Sequence, residues 1–264
     1  MNKIFLLLLM PLCIFAKVHY AKVEPYASVV LKSAVSGLVT EVALEDEGTM
    51  VEGKRVIHLD DKLDRVNLKD AQTNIELLKQ MLEINQHIAT GLKESMLRQE
   101  SYYKRISKLS TASKTQKDSA YRAFTSAKTQ YLGTQEKIIS LKKQLLSMQY
   151  KVAQLEDIIT KKSVVLRHKY LYRLMVREGD FVAPGSPLAK VQDVSRAKLV
   201  LFLDKDEVEG IADKTLYLDD VKSAYKIDKV WRVADEKFIS SYRAEIYMDA
   251  PEKSFSSLVK VEIK

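Results

Sequence analysis

The period of the hydrophobic pattern changes twice along this chain. Short alternating apolar runs come first, then a long stretch of three- and four-residue steps, then alternation again. The stepped stretch runs from about Leu63 to Ile159. In its first half the apolar positions are Leu68, Ala71, Ile75, Leu78, Leu82, Ala89, Leu92, Met96, Tyr103 and Ile106, with polar Asn85 and Gln99 on the same grid. In its second half they are Ala120, Phe124, Ala127, Tyr131, Ile138, Leu141, Leu145, Met148, Val152, Leu155 and Ile159, with Thr134 as the one polar site. A seven-residue repeat held this long predicts a left-handed coiled coil. No proline interrupts it, and the only glycines between Lys54 and Glu178 are Gly91 and Gly133.

The two halves mirror each other about Ser113. Folding the chain there brings Ile106 level with Ala120, Leu82 with Leu145, and Leu68 with Ile159. An antiparallel hairpin produces such symmetry, and two unrelated helices do not. Gly91 and Gly133 also fall almost level, which predicts a close backbone approach or a bend there. At 1.5 Å per residue each arm is about 70 Å long.

The flanking segments predict strands. Before the rod lie Val29–Leu31, Ser33–Val39, Val42–Leu44 and Arg55–Asp60, with glycine turns between them. So few residues do not close a core of their own. After the rod, Leu171 and Leu174 repeat the spacing of Val39 and Val42, and Val176 that of Leu44. Glu178-Gly179-Asp180 then answers Glu47-Gly48-Thr49, Gly185 answers Gly53, Leu188 answers Val56, and Val191 answers Leu59. Asp193 closes the second unit as Asp61 closes the first. The offset is 132 residues from Val39 to Leu171 and 131 from Gly48 to Gly179, an internal repeat with small indels at turns. One two-fold β-sandwich, split in sequence with the rod inserted at its midpoint, accounts for both features. The expected boundaries are 17–61 and 163–194 for the sandwich halves, 62–162 for the hairpin with its tip near 109–115, and 195–264 for a small β-barrel. In that barrel Ala197–Leu203 and Thr215–Leu218 are strands around a helical turn at Asp206–Ile211. Ala244, Ile246 and Met248 alternate on one face, as do Val259, Val261 and Ile263.

Residues 1–16 have Lys3, an apolar run from Ile4 to Phe15, and Ala16. That layout predicts a secretory signal peptide cleaved after Ala16, since the run is too short to span a bilayer. Lipidation at Cys13 and retention as an anchor are the alternatives, and Pro11-Leu12 fits a lipidation signal poorly. Cys13 is the only cysteine, so the cleaved chain has no disulfide or thiolate chemistry. The net charge of +8 over 264 residues comes from lysines and glutamates interspersed on the helix faces, with no arginine cluster interleaved with aromatics. Nucleic acid is therefore not an expected partner.

The split "V-x-G-x-V…E-G-x-x-V-x-x-G-x-x-L" half-motifs around a helical hairpin resemble the periplasmic adaptors of bacterial tripartite exporters, the HlyD-like membrane fusion proteins. The resemblance implies a mixed β and α fold: a split lipoyl-like β-sandwich, the inserted antiparallel coiled-coil hairpin, then the β-barrel. The last strand has Phe255-Ser-Ser-Leu258 in place of the family's Pro-Gly lead-in. The end at Lys264 leaves no room for the membrane-proximal domain many adaptors carry. The tip carries a second resemblance. Adaptors that engage an outer-membrane channel show an Arg, a Leu four residues on, a Ser across the turn, and an Asp-x-Ala opening the returning helix. Arg105, Leu109, Ser113 and Asp118-Ser119-Ala120 follow that order, across a loop shorter than the usual pattern. The resemblance makes Arg105, Leu109, Ser113 and Asp118 candidate contacts to an outer-membrane channel protein. It also implies an inner-membrane transporter as partner, self-association as a hexamer, and a place in the periplasm of a Gram-negative envelope; the small size and the lack of a spanning anchor favour a transporter of the RND type over the ABC type. A plainer reading of the tip stands beside it: Ser113 with Gln116 is a capping box that any hairpin turn can use, Arg105 a solvated charge, and Leu109 the end of the seam.

The sequence predicts no enzyme, no cofactor and no metal. His19, His58, His87 and His168 lie on different elements without ligand spacing. Asp60, Asp61 and Asp64 crowd a helix start, where carboxylates suit the dipole. Trp231 and its neighbouring tyrosines read as barrel core, and the scattered methionines support no copper relay. Two other classes are a structural coiled-coil envelope protein, which leaves the split repeat unexplained, and a lipoyl or biotinyl carrier. The carrier lacks a Met-Lys-Met turn and has a rod through its midpoint.

Overall fold

The computed structural model describes residues 17–235, 240–252 and 254–264. The expected signal peptide lies outside the described residues. Strands β1 (Val18–Lys32), β2 (Gly37–Val42), β3 (Thr49–Val51) and β4 (Lys54–Leu59) precede helices α1 (Lys62–Lys108) and α2 (Lys114–Lys161). After them come β5 (Ser163–Leu166), β6 (Lys169–Leu174), β7 (Phe181–Val182) and β8 (Pro187–Leu203). A short α3 (Lys205–Val208) leads to β9 (Leu216–Leu218), β10 (Val221–Lys222), β11 (Lys229–Ala234), β12 (Tyr242–Asp249) and β13 (Leu258–Ile263).

The sandwich is built from both sides of the rod. One layer has the order β5-β4-β2-β7, and the other joins β3, β6, β8 and β1. The internal repeat is visible as a two-fold relation in the hydrogen bonds. Gly48 donates its amide to the carbonyl of Leu171 at 2.8 Å, and Gly179 donates to the carbonyl of Val39 at 2.9 Å. Likewise Leu38 pairs with Phe181 while Met50 pairs with Tyr170. Gly48 and Gly179 both have positive φ, 78° and 91°, so each turn needs a residue without a Cβ. The core contains the repeat mates Val39 and Leu171, Val51 and Val182, Val56 and Leu188, Leu59 and Val191. One pair departs from the symmetry: Val176 is buried, whereas Leu44 opens a 3-10 turn (Leu44–Asp46) that carries its side chain into solvent.

Strands β1 and β8 do not stop at the sandwich. Their antiparallel pairing continues from Lys32↔Pro187 to Val23↔Leu199, through a bulge in β8 that sets residues 194–196 opposite Tyr26, into the barrel. There β1 pairs with β13 and β8 with β12, in the order β10-β9-β13-β1-β8-β12-β11. Alternate residues Ala197, Leu199, Leu201 and Leu203 enter a barrel core with Ala21, Val23, Leu216, Ala244, Ile246, Val261 and Ile263. At the crossing, the Arg196 guanidinium lies 4.3 Å from the Tyr26 ring centroid, and Tyr26 meets Tyr247 edge-on at 5.4 Å. The two bodies thus share a continuous two-strand spine with a cation–π clamp across it.

Each predicted seam position of the rod is buried or half-buried, polar Asn85, Gln99 and Thr134 included. Hydrophobic burial along the seam, not propensity alone, stabilises arms of 47 and 48 residues. Gly91 and Gly133 differ from expectation. Both lie on exposed positions of unbroken helices, and a Cβ built on either meets nothing within 4 Å. No close approach occurs there because both fall off the seam. Trp231 also departs from the barrel-core reading. It is half-buried between two cations, with Lys229 Nζ at 4.3 Å and the Arg243 guanidinium at 5.0 Å from its ring centroid.

Candidate functional site: the hairpin tip

Helix α1 ends at Lys108 because Leu109 turns to an extended backbone, with its amide donating to the Ile106 carbonyl at 3.2 Å. The chain reverses through 109–113. Ser113 then caps α2: its hydroxyl accepts from the Gln116 amide at 3.2 Å, while the Gln116 side chain accepts from the Ser113 amide at 2.9 Å. This is the full capping box, so Ser113 has a structural role that explains its presence without any partner.

The other three tip candidates have no such internal task. Arg105, Leu109 and Asp118 are all exposed, Leu109 by 48%. Among the described residues neither Arg105 nor Asp118 has an ion-pair partner, although Lys104 beside Arg105 pairs with Glu100 at 2.6 Å. Just below the tip, Tyr103 stacks on Phe124 at 6.2 Å and contacts Tyr121 at 5.3 Å. The aromatic group fixes the two helix ends relative to each other. The tip is therefore a capped turn that presents the cations Arg105, Lys108 and Lys114, the anion Asp118 and the large apolar side chain of Leu109 to solvent. Those are the components of a small protein-docking surface.

The base of the rod holds a polar cluster that the sequence suggests only as carboxylates at a helix start. Lys162, just after α2, donates to the Asp60 carbonyl at 2.7 Å and pairs with Asp64 on α1. Asp61 is buried and accepts from Arg65 Nε at 2.9 Å, and the bond to that guanidinium holds its carboxyl below the usual range. His58 reaches Ser163 Oγ at 3.0 Å and lies 3.5 Å from Asp61. These contacts tie both helix ends to the sandwich. The sequence does carry a signal for the central pair: Asp64 and Lys162 each stand 49 residues from Ser113.

Elsewhere, a cleft of about 860 Å³ between sandwich and barrel is lined by Lys22, Lys190, Lys198, Tyr170, Tyr172 and others. Among the described residues no group of three or more His, Cys, Asp or Glu is placed to hold a metal ion. No helix among them is long and apolar enough to cross a membrane.

No family model matches this chain, and no curated protein resembles it in sequence. Its fold does have relatives. MacA from Actinobacillus actinomycetemcomitans superposes with a TM-score of 0.74 at 15% identity, over 94% of this chain and 78% of MacA. A MacA-MexA chimera that carries the Pseudomonas aeruginosa MexA α-hairpin domain gives 0.63 at 16% identity, over 94% and 81%. The membrane fusion protein Spr0693 from Streptococcus pneumoniae R6 gives 0.58 at 9% identity, over 94% and 99%. The chain has the fold of the membrane fusion proteins, with split sandwich, hairpin and barrel all present.

Proposed function

We propose that this protein is the periplasmic adaptor of a tripartite export system, a non-enzymatic bridge between an inner-membrane transporter and an outer-membrane channel. The observation that carries the reading is the joint design of base and tip. A split sandwich fixes both ends of a rod about 70 Å long side by side, and the far end presents Arg105, Leu109 and Asp118 without internal partners. A purely structural rod needs neither. In this reading residues 1–16 direct export to the periplasm, the tip meets the channel, and the barrel end meets a transporter of the RND type in preference to the ABC type. Several copies, six by analogy with the family, form a ring whose rods enclose the path of the cargo.

The mechanism is geometric. The clamp of Arg196 on Tyr26 and the spine of β1 and β8 hold barrel and sandwich together. The Lys162 cluster holds the sandwich to the rod, so a displacement at the barrel is transmitted to the tip. Export by cells producing Leu109→Asp or Arg105→Asp tests the reading. Both variants should accumulate normally and fail to export, and undiminished export at equal abundance would refute the tip assignment.

A further inference from the structure

The outer face of the sandwich carries a row of side chains that neither core uses. Register places Met50 of β3 opposite Tyr170 of β6, Tyr170 opposite Gln192 of β8, and Gln192 opposite Ser28 of β1. Directly opposed residues share a face, so these four look out from one side of the sheet. Along β8 that side continues through Lys190 and, past the bulge, Lys198, while Val191, Ala197 and Leu199 turn into the cores. The row is the floor of the cleft of about 860 Å³ between sandwich and barrel. The connection from β12 to β13 makes the opposite wall. Ser256, at φ 79°, donates its amide to the Val23 carbonyl at 2.8 Å, and Val23 donates to the Ser257 carbonyl at 2.9 Å. Those bonds pin the connection to β1, and Phe255, packed against the barrel core, lines the cleft.

The charges in this cleft are unevenly placed. At the barrel end Lys22 and Lys198 flank Glu24, the register partner of Lys198, and Lys198 also reaches the buried Glu245 at 3.7 Å. At the sandwich end the cations have no such counterweight. Arg173 stands opposite Lys190 in the β6–β8 ladder, and among the described residues neither has a carboxylate partner. Like charges opposed across two strands destabilise a sheet. Lys190 Nζ also lies 4.9 Å from the Tyr172 ring centroid, a cation–π contact that fixes the ammonium at the cleft surface. Met50 and Tyr172 are exposed by 55% and 52%, so large apolar area is turned to the cleft and not to a core.

We infer that this cleft is a binding site for a small organic anion that carries an aromatic ring. Lys190, with Arg173 beside it, takes the anionic group, a carboxylate, sulfonate or phosphate. The ring rests against Tyr170, Met50 and Phe255. Clefts of roughly 300–1,000 Å³ at the joint of two bodies, apolar with a few placed polar groups, are where small molecules bind. A cationic ligand would meet Lys190 and Arg173 as further like charges, and a neutral one would leave their repulsion in place. An anion removes that repulsion, so the sheet's local conflict becomes part of the affinity. The floor belongs to the sandwich and Phe255 to the barrel, so the ligand also touches both bodies across their joint. The site goes beyond the bridging function and needs neither a channel nor a transporter.

Titration of the purified full chain with anilinonaphthalene sulfonate, an aromatic sulfonate whose fluorescence rises in an apolar site, tests this. Binding should be saturable. Lys190→Glu should weaken it by about tenfold or more, the worth of a hydrogen bond to a charged group. Met50→Glu, at an exposed position on the same floor, should weaken it as well, and Glu24→Gln should leave it unchanged or tighter. Phenylnaphthylamine, a similar ring system without the sulfonate, should bind the parent more weakly and be indifferent to Lys190→Glu. Equal dye affinity in the parent, Lys190→Glu and Met50→Glu, with unchanged melting by circular dichroism, would overturn the site, as would the absence of saturable binding. Equal affinity of the parent for the sulfonate and the neutral amine would overturn the choice of an anion. None of these readouts involves a channel or a transporter, so the site and the bridging function fail separately.

Discussion

The rings of Tyr103 on α1 and Phe124 on α2 lie 2° from parallel, 6.2 Å apart, just beneath the turn. At the opposite end Lys162 meets Asp64, equally far from Ser113. Level pairs at both ends mean that neither helix slips against the other over the length of the rod. The tip is thus held at a fixed height above the sandwich, the property a bridging protein needs.

The seam supplies the stability of that rod. Leu141 is buried at a seam position, and Leu141→Ala should cost about 2–4 kcal/mol by cavity formation. Leu141→Asp should cost more, because it buries an unpaired charge. Thermal melts followed by helical circular dichroism measure both. An unchanged midpoint would contradict the hairpin packing.

Asn85 is the buried polar exception in the seam. Its side-chain amide donates to the Met81 carbonyl of its own helix at 2.7 Å. Asn85→Leu should raise the melting midpoint, by about 1 kcal/mol in stability. It should also weaken the discrimination between registers, as loss of a polar seam residue does in coiled coils. A lowered midpoint would show that Asn85 has a task beyond this bond.

The sandwich should carry an acid-sensitive contribution from Asp193. Lys169 donates to its carboxylate at 2.7 Å and Ser195 adds hydroxyl and amide bonds, which hold its pKa down to about 2. An unfolded aspartate titrates at about 3.9. A depressed folded value means stability that is fully present above the unfolded pKa and lost as pH falls from about 4 toward about 2. The melting midpoint of Asp193→Asn should therefore lie below the parent at pH 7, with the gap closing across that window. A gap that stays constant would assign the difference to another cause.

Much of this architecture is legible in the sequence because it rests on periodicity. The heptad grid names the seam residue by residue, and the offset between Val39 and Leu171 names the sandwich core. Features that depend on three-dimensional neighbours are not legible. Gly91 and Gly133 fall level in sequence but sit off the seam, so levelness alone does not bring them together. Trp231 reads as core from composition, yet two cations on neighbouring positions hold it at the barrel surface. The continuity of β1 and β8 through both bodies leaves no mark, because alternation gives no sign of where one core ends and the next begins. At the tip the order of Arg105, Leu109, Ser113 and Asp118 is plain in the sequence. Only the folded turn separates Ser113, engaged in its capping box, from three residues with nothing to bind inside the chain.

The most direct test of the bridging function is proximity crosslinking in cells from a single cysteine at Thr111, in the exposed turn between Leu109 and Ser113, with Cys13→Ser as background. The proposed function predicts a covalent adduct with an outer-membrane channel protein, lost when Leu109→Asp is added. Adducts only with other copies of this chain, or none at all, would contradict it and leave the rod as a structural element of the envelope.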